Sequence, residues 1–276
     1  MKIFTTKSKK RNLFFLHISV LVFWLAVWEI IYLVVGQEIL IASPAQVFSR
    51  LMSLVAQKNF WMVSFASLGR ILAGFLLAFV FGILLAILTS RFSLMRLLFQ
   101  PIFQIIKAVP VASFIILALI WIRSGNVPIF ISFLMVLPMV WSNISQGISS
   151  VDPQLLEVAK LFRFSTGKKI RQVYLPSLFP YLYSAFTTGI GFAWKSGVAA
   201  EVIGNTQLSI GRKIYESKIY LETADLFAGT IVVILLSLIL EKLLLRLIRQ
   251  LSKKLPFAVC ERKSLYSPTQ EKGGEI

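Results

Sequence analysis

Four ionisable residues, Glu29, Arg70, Lys195 and Glu201, stand inside or at the edges of long apolar runs. A charge in hydrocarbon is costly, so such a residue lines a polar path, holds a partner charge or reaches the headgroups. Lys195 lies roughly mid-run beside Trp194, and two roles stay open for it: attracting an anion in a translocation pathway, or neutralising a carboxylate. Glu201 follows six residues later, about 240° around a helix, which argues against a simple same-face pair with Lys195. Arg70, near the end of its run, is expected to snorkel to headgroups, and Glu29 to pair with a neighbour near an interface. Trp194, Lys195 and Glu201 are therefore the candidate pathway residues.

Other chemistry fails on inspection. Thr166-Gly167-Lys168-Lys169 imitates the end of a phosphate-binding loop, but Phe162 occupies the first glycine position and Lys169 that of the metal-binding hydroxyl residue. No nucleotide site and no catalytic residue is expected on this chain, so any ATP and magnesium belong to another. The single cysteine, Cys260, and single histidine, His17, build neither a disulfide framework nor a metal constellation within one copy.

The elements that must position these residues follow from composition. The chain has 276 residues, 57% of them hydrophobic and only 15% charged, with a formal net charge of +17. Its mean hydropathy is +0.79. That apolar excess predicts a chain solvated by lipid, and the Lys/Arg bias suits anionic headgroups or acidic partners rather than nucleic acid. At roughly 20 apolar residues per crossing, the runs predict an all-α polytopic protein with six spans at 13–35, 67–89, 101–122, 128–148, 180–203 and 226–248. Lys7, Lys9, Lys10 and Arg11 precede the first run as in a secretory leader. Leu13–Val35 is nevertheless long enough to span, and no small-residue cleavage pattern follows it. Between the first two spans, Val47, Leu51, Leu54 and Val55 recur at helical spacing and predict an amphipathic helix at the interface.

Loop charges set the orientation. The N-terminal arm, Arg91 and Arg96, the cluster Lys160–Arg171 and the tail from Lys242 to Lys272 fall on one side. Only Arg50, Lys58, Arg123, Arg212, Lys213 and Lys218 fall on the other, so the positive-inside rule places both termini in the cytoplasm of a multi-pass cell-membrane protein. The predicted organisation is a basic arm at 1–12, a transmembrane domain at 13–250 and a basic, disordered tail at 251–276. Rows of small residues, Gly74, Ala78, Gly82 and Ala86 in the second span and Ala185, Gly189, Ala193 and Gly197 in the fifth, predict close helix packing, within one copy or at a seam between two.

The cytoplasmic loop 149–179 is more structured than a connector needs. Asp152-Pro153 reads as a helix start, with a capping carboxylate and a proline at the first helical position. Leu155, Leu156, Ala159, Leu161 and Phe162 form an apolar set. Ser165 is expected to cap a second short helix that Pro176 stops. Apolar residues on such a loop imply a docking surface.

These residues carry a resemblance. Glu157-Val158-Ala159 followed by Val173-Tyr174-Leu175-Pro176 has the spacing of the EAA loop of ABC importer permeases, E-A-A-x3-G-x9-I-x-L-P. Val158, Arg163 and Val173 depart from it, and Arg163 replaces a turn glycine, a role that Gly167 would alternatively take. Trp28-Glu29, Ala42-Ser43-Pro44, Ser67-Leu68-Gly69-Arg70, Val109-Pro110, Ala193-Trp194-Lys195 and Ala200-Glu201-Val202-Ile203-Gly204 are similar to the nitrate/sulfonate/taurine branch. The resemblance implies a type I importer fold, a second permease copy, cytoplasmic ATPase subunits and an extracytoplasmic solute-binding protein. It makes Glu157, Ala159, Arg163, Gly167, Leu175 and Pro176 the ATPase-coupling residues, and a small anionic or polar solute, or a vitamin precursor, the cargo. The competing expectation is an ion-coupled secondary transporter or channel, which predicts coupled membrane carboxylates or an internal repeat. A membrane scaffold without transport is a third.

Overall fold

A computed structural model describes residues 6–253, and all regular structure among them is helical. The elements are α1 (Thr6–Val35), α2 (Pro44–Val55), α3 (Lys58–Arg91), α4 (Ser93–Ala108), α5 (Val111–Trp121), α6 (Val127–Ser149), α7 (Pro153–Leu161), α8 (Thr166–Lys169), a π-helical turn (Ile170–Tyr174), α9 (Leu175–Ile203), α10 (Ile210–Ile219) and α11 (Thr223–Lys253). The tail from residue 254, with Cys260, and the first five residues of the arm lie outside the described residues.

Four stretches are long and apolar enough to cross a membrane: Ile18–Val35, Lys58–Arg91, Val127–Ser149 and Thr223–Arg246. They match four of the expected spans. The stretch expected as one span at 101–122 is instead two helices, α4 and α5, bent by 108°. Val109 between them is extended, at φ −77° and ψ 134°, because the ring of Pro110 disfavours the helical region for the residue before it. At 29 residues α9 has the length to span. Ser184, Thr187, Thr188, Lys195, Ser196 and Glu201 interrupt its apolar run, and it is not among those four stretches.

The chain divides into two compact units interleaved along the sequence. The first comprises residues up to Arg70, Ile115–Pro128 and Gly197–Leu235. Here Ser43 caps α2 in a reciprocal box with Gln46, and Pro44 occupies the first turn, where no amide partner is lost. The amphipathic reading of α2 holds: Val47 is buried against Ala42 and Ala228, with Trp28, Leu51, Leu54 and Phe227 packed around them. Arg50 donates two bonds of 2.7 and 2.6 Å to Asp225 in the first turn of α11. By contrast, α1 is exposed along most of its described length, as lipid solvation permits.

The second unit comprises Ile71–Phe114, Ile129–Ser196 and the residues from Leu236. Its small-residue rows are packing surfaces within the chain. A Cβ at Gly74 would sit 2.3 Å from the carbonyl oxygen of Ile129, and one at Gly82 would sit 2.7 Å from Val140, so α3 rides closely on α6. Ala78, Ala86, Ala185 and Ala193 are buried. Phe186 meets Phe75 and Phe79 edge-on, and the Trp141 indole donates to Thr89 Oγ1 at 2.9 Å.

Candidate functional site

Each unit holds one candidate site. In the second unit, α7 begins where Asp152 accepts the amide of Gln154 at 2.9 Å, with Pro153 at the first helical position. It ends in a Schellman turn: the Phe164 amide donates to the Ala159 carbonyl and the Arg163 amide to that of Lys160. Such a turn needs a left-handed residue, and Arg163 supplies it at φ 49°. The family glycine has therefore not moved to Gly167, which lies in α8 with nothing near its missing Cβ.

A miniature core closes the loop. Ala159, Val151 and Val173 are buried together, with Leu156, Phe164 and Tyr174 against them. This corrects one expectation: Ala159 is not part of the exposed apolar set but is 1% exposed and turned to the loop's own interior. The outward stripe is Leu155, Val158, Leu161 and Phe162, joined in exposure by Ile170. Leu161 is 80% and Phe162 68% exposed. Val158 was missed because only the tertiary contact with Val173 distinguishes the two faces of so apolar a helix. Glu157 is exposed, and no ion pair reaches it among the described residues.

Pro176 does not stop the second helix, a further correction. Ser165 caps α8, the backbone then widens into the π-helical turn, and α9 continues through Leu175 and Pro176. Proline offers no amide to the preceding turn. The chain absorbs the loss by shifting the bonding register, so that the Leu175 amide reaches the carbonyl of Ile170, five residues back.

In the first unit, Glu201 is fully buried near the end of α9. Its Oε2 accepts from Ser67 Oγ at 2.8 Å and from the Gly211 amide at 3.3 Å. Ser67 Oγ in turn accepts the Ile210 amide at 3.0 Å. Two otherwise free donors at the start of α10 are thus satisfied from distant elements, while Ser209 caps the same helix through the Arg212 amide. Arg70, one turn after Ser67, donates to the carbonyls of Leu208 at 3.1 Å and Gln207 at 3.0 Å. Its Nη1 is 3.7 Å from Glu201 Oε1, which has no hydrogen bond. Arg70 therefore holds the loop before α10 and does not snorkel.

Of the remaining candidates, Trp194 is buried and Lys195 is exposed on α9. Ser67 and Gly211 were not singled out by sequence. The signal for Ser67 was its place three residues before Arg70, on the same helical face. On the outer surface of the first unit, Glu216 accepts from Arg212 at 2.8 Å and Lys213 at 3.3 Å. The bond from Arg212 foremost, with Lys213, holds its carboxyl below the usual carboxylate range.

Long apolar helices, residues that must pack at backbone distance and buried polar knots define a membrane-embedded, polytopic α-helical protein. Residues 78–255 match the binding-protein-dependent transport system inner membrane component family, and the chain belongs to that family. It is 26% identical over 216 residues to a probable ABC transporter permease protein of Brucella melitensis, covering 78% of this chain and 87% of that one. It is 27% identical over 231 residues to the taurine transport system permease protein of Escherichia coli, covering 82% and 84%. Over 189 residues it is 28% identical to the nitrate import permease protein of a Synechocystis strain, covering 65% and 68%.

Proposed function

We propose that this chain is the permease subunit of an ATP-driven importer and that α7 is its docking element for a separate ATPase, which carries the ATP and magnesium. The observation that carries this reading is the sorting of α7. Its inner face is sealed by Ala159, Val151 and Val173, yet Leu155, Val158 and Leu161 on the same short helix, and Phe162 at its C-cap, are left uncovered. A loop that only joined spans would have no use for a rigid, doubly capped helix with an apolar outer stripe.

On this reading the chain crosses the membrane six times, with α4 and α5 counted as one broken crossing, and both termini and α7 face the cytoplasm. A second copy completes the pathway, and an extracytoplasmic binding protein delivers the solute. The family match and relatives named for taurine, nitrate and bicarbonate transport support a small polar or anionic cargo. Lys195, exposed on α9, is the pathway cation that suits it.

The test is Leu161→Asp. The variant is expected to reach the membrane and melt like the parent while co-purification with the ATPase falls about tenfold or more, the scale of losing one anchor residue. Undiminished assembly and turnover would return the ion-coupled transporter to first place.

A further inference from the structure

We propose that Arg70 is a positioning residue that works as a two-position latch on the loop between α9 and α10, released by transfer of its guanidinium to Glu201. The inference rests on the importer reading and extends it to the outward face of the permease.

Neither end of the latch is fully satisfied. Arg70 directs two of its five N–H donors, one from Nη1 and one from Nη2, to the carbonyls of Leu208 and Gln207. That arrangement leaves Glu201 Oε1 buried and without a hydrogen bond, although Arg70 Nη1 is only 3.7 Å away. A buried carboxylate oxygen lacking a donor is an unfavourable state that a guanidinium can relieve. The loop carries a backbone cost at Leu208, whose φ of 50° lies in the left-handed region, whereas Asn205 at φ 45° is a residue that tolerates it. Because the guanidinium is a rigid plane, a swing of the Arg70 side chain that carries it onto Glu201 Oε1 would complete the ion pair and draw Nη1 and Nη2 together off the two carbonyls, letting the loop relax. Glu201 Oε2 would keep Ser67 and the Gly211 amide throughout, so α10 stays anchored while the loop moves. Two arrangements of this kind, each lacking something the other has, are what a small bias can switch.

Thr206 reports the loop's position, because it is fully buried and donates to the Ser124 carbonyl at 2.8 Å. The experiment places Thr206→Cys in a Cys260→Ser background and measures its rate of reaction with a membrane-impermeant maleimide added outside. In resting membranes Arg70→Gln is expected to raise that rate about tenfold, as expected when a local opening is made easier. Glu201→Gln, whose amide oxygen still accepts from Ser67 and Gly211, is expected not to raise it, because the attraction that draws Arg70 off the loop is gone. In the assembled complex, trapping with ADP and vanadate is expected to speed labelling of the parent and not of Glu201→Gln. A rise in both variants at rest would show Glu201 to be merely structural and overturn the latch. So would an unchanged rate on trapping in a complex that hydrolyses ATP. Failure of the importer reading registers separately, as absence of a co-purifying ATPase, and the resting comparison of the two variants then decides the latch.

Discussion

The α7 loop and the Glu201 knot solve opposite problems. The loop satisfies its polar groups locally, through Asp152, Ser165 and the Schellman turn at Arg163, and leaves apolar side chains uncovered. The knot buries its polar groups and satisfies them across long sequence distances, with the α10 amides answered by Glu201 and Ser67. A self-capped element keeps its shape while presenting a sticky face, whereas a knot of buried bonds holds two segments together until a bond is exchanged. The first arrangement suits docking and the second suits holding.

The largest expected effect separates the two regions by their glycines. A Cβ at Gly211 would lie 2.4 Å from Glu201 Cβ and 2.6 Å from the Val202 amide nitrogen, with no flexible side-chain end to give way. Gly211→Ala is therefore expected to cost about 3 kcal/mol or prevent folding, read as a lowered melting temperature of the purified protein. Gly167→Ala meets open space in α8 and is expected to be neutral or stabilising by up to about 1 kcal/mol. Comparable destabilisation by both would erase the distinction.

Within the loop, Ala159→Trp is expected to cost about 1–3 kcal/mol by overfilling the miniature core, seen as faster proteolysis between residues 151 and 175. The loss comes from the loop's own packing and not from a partner's cleft. Smaller and of opposite sign is Arg163→Gly, which should stabilise the loop by about 1 kcal/mol, since glycine adopts φ 49° without the Cβ penalty. Slower proteolysis of the same segment would register it.

The smallest effect is expected at the surface. Glu216 is held below the usual carboxylate range by Arg212 and Lys213, so its stabilisation is present above the ordinary carboxylate pKa. It fades as pH falls through the depressed folded value. Solvent screening limits Glu216→Gln to about 0.5 kcal/mol, with less effect still at high salt.

Much of this was legible in the residues. Ser43-Pro44 and Asp152-Pro153 announce α2 and α7 because capping is local chemistry, and the small-residue rows announce close packing. Pro110 is visible in the sequence, but the span it breaks scores as continuous because hydropathy is blind to backbone angle. The faces of α7 are not legible in the sequence, since its apolar residues point to more than one side and only Val151 and Val173, outside the helix, fix which of them turn inward. Nor is the partnership of Arg70 with Glu201, which no local periodicity can signal across so long a stretch of chain. Pro176 reads as an ending because it lacks an amide, whereas the helix widens ahead of it and continues.

The central claim is that the outward stripe of α7, and not its inward face, meets a separate ATPase. A photoreactive benzoylphenylalanine at Leu161 tests it most directly, against the same group at Leu156, which packs inward. Irradiated membranes are expected to yield an adduct between this chain and an ATP-binding protein from position 161 and not from 156. Equal adducts from both positions, or none from 161 in membranes that still import solute, would contradict the account.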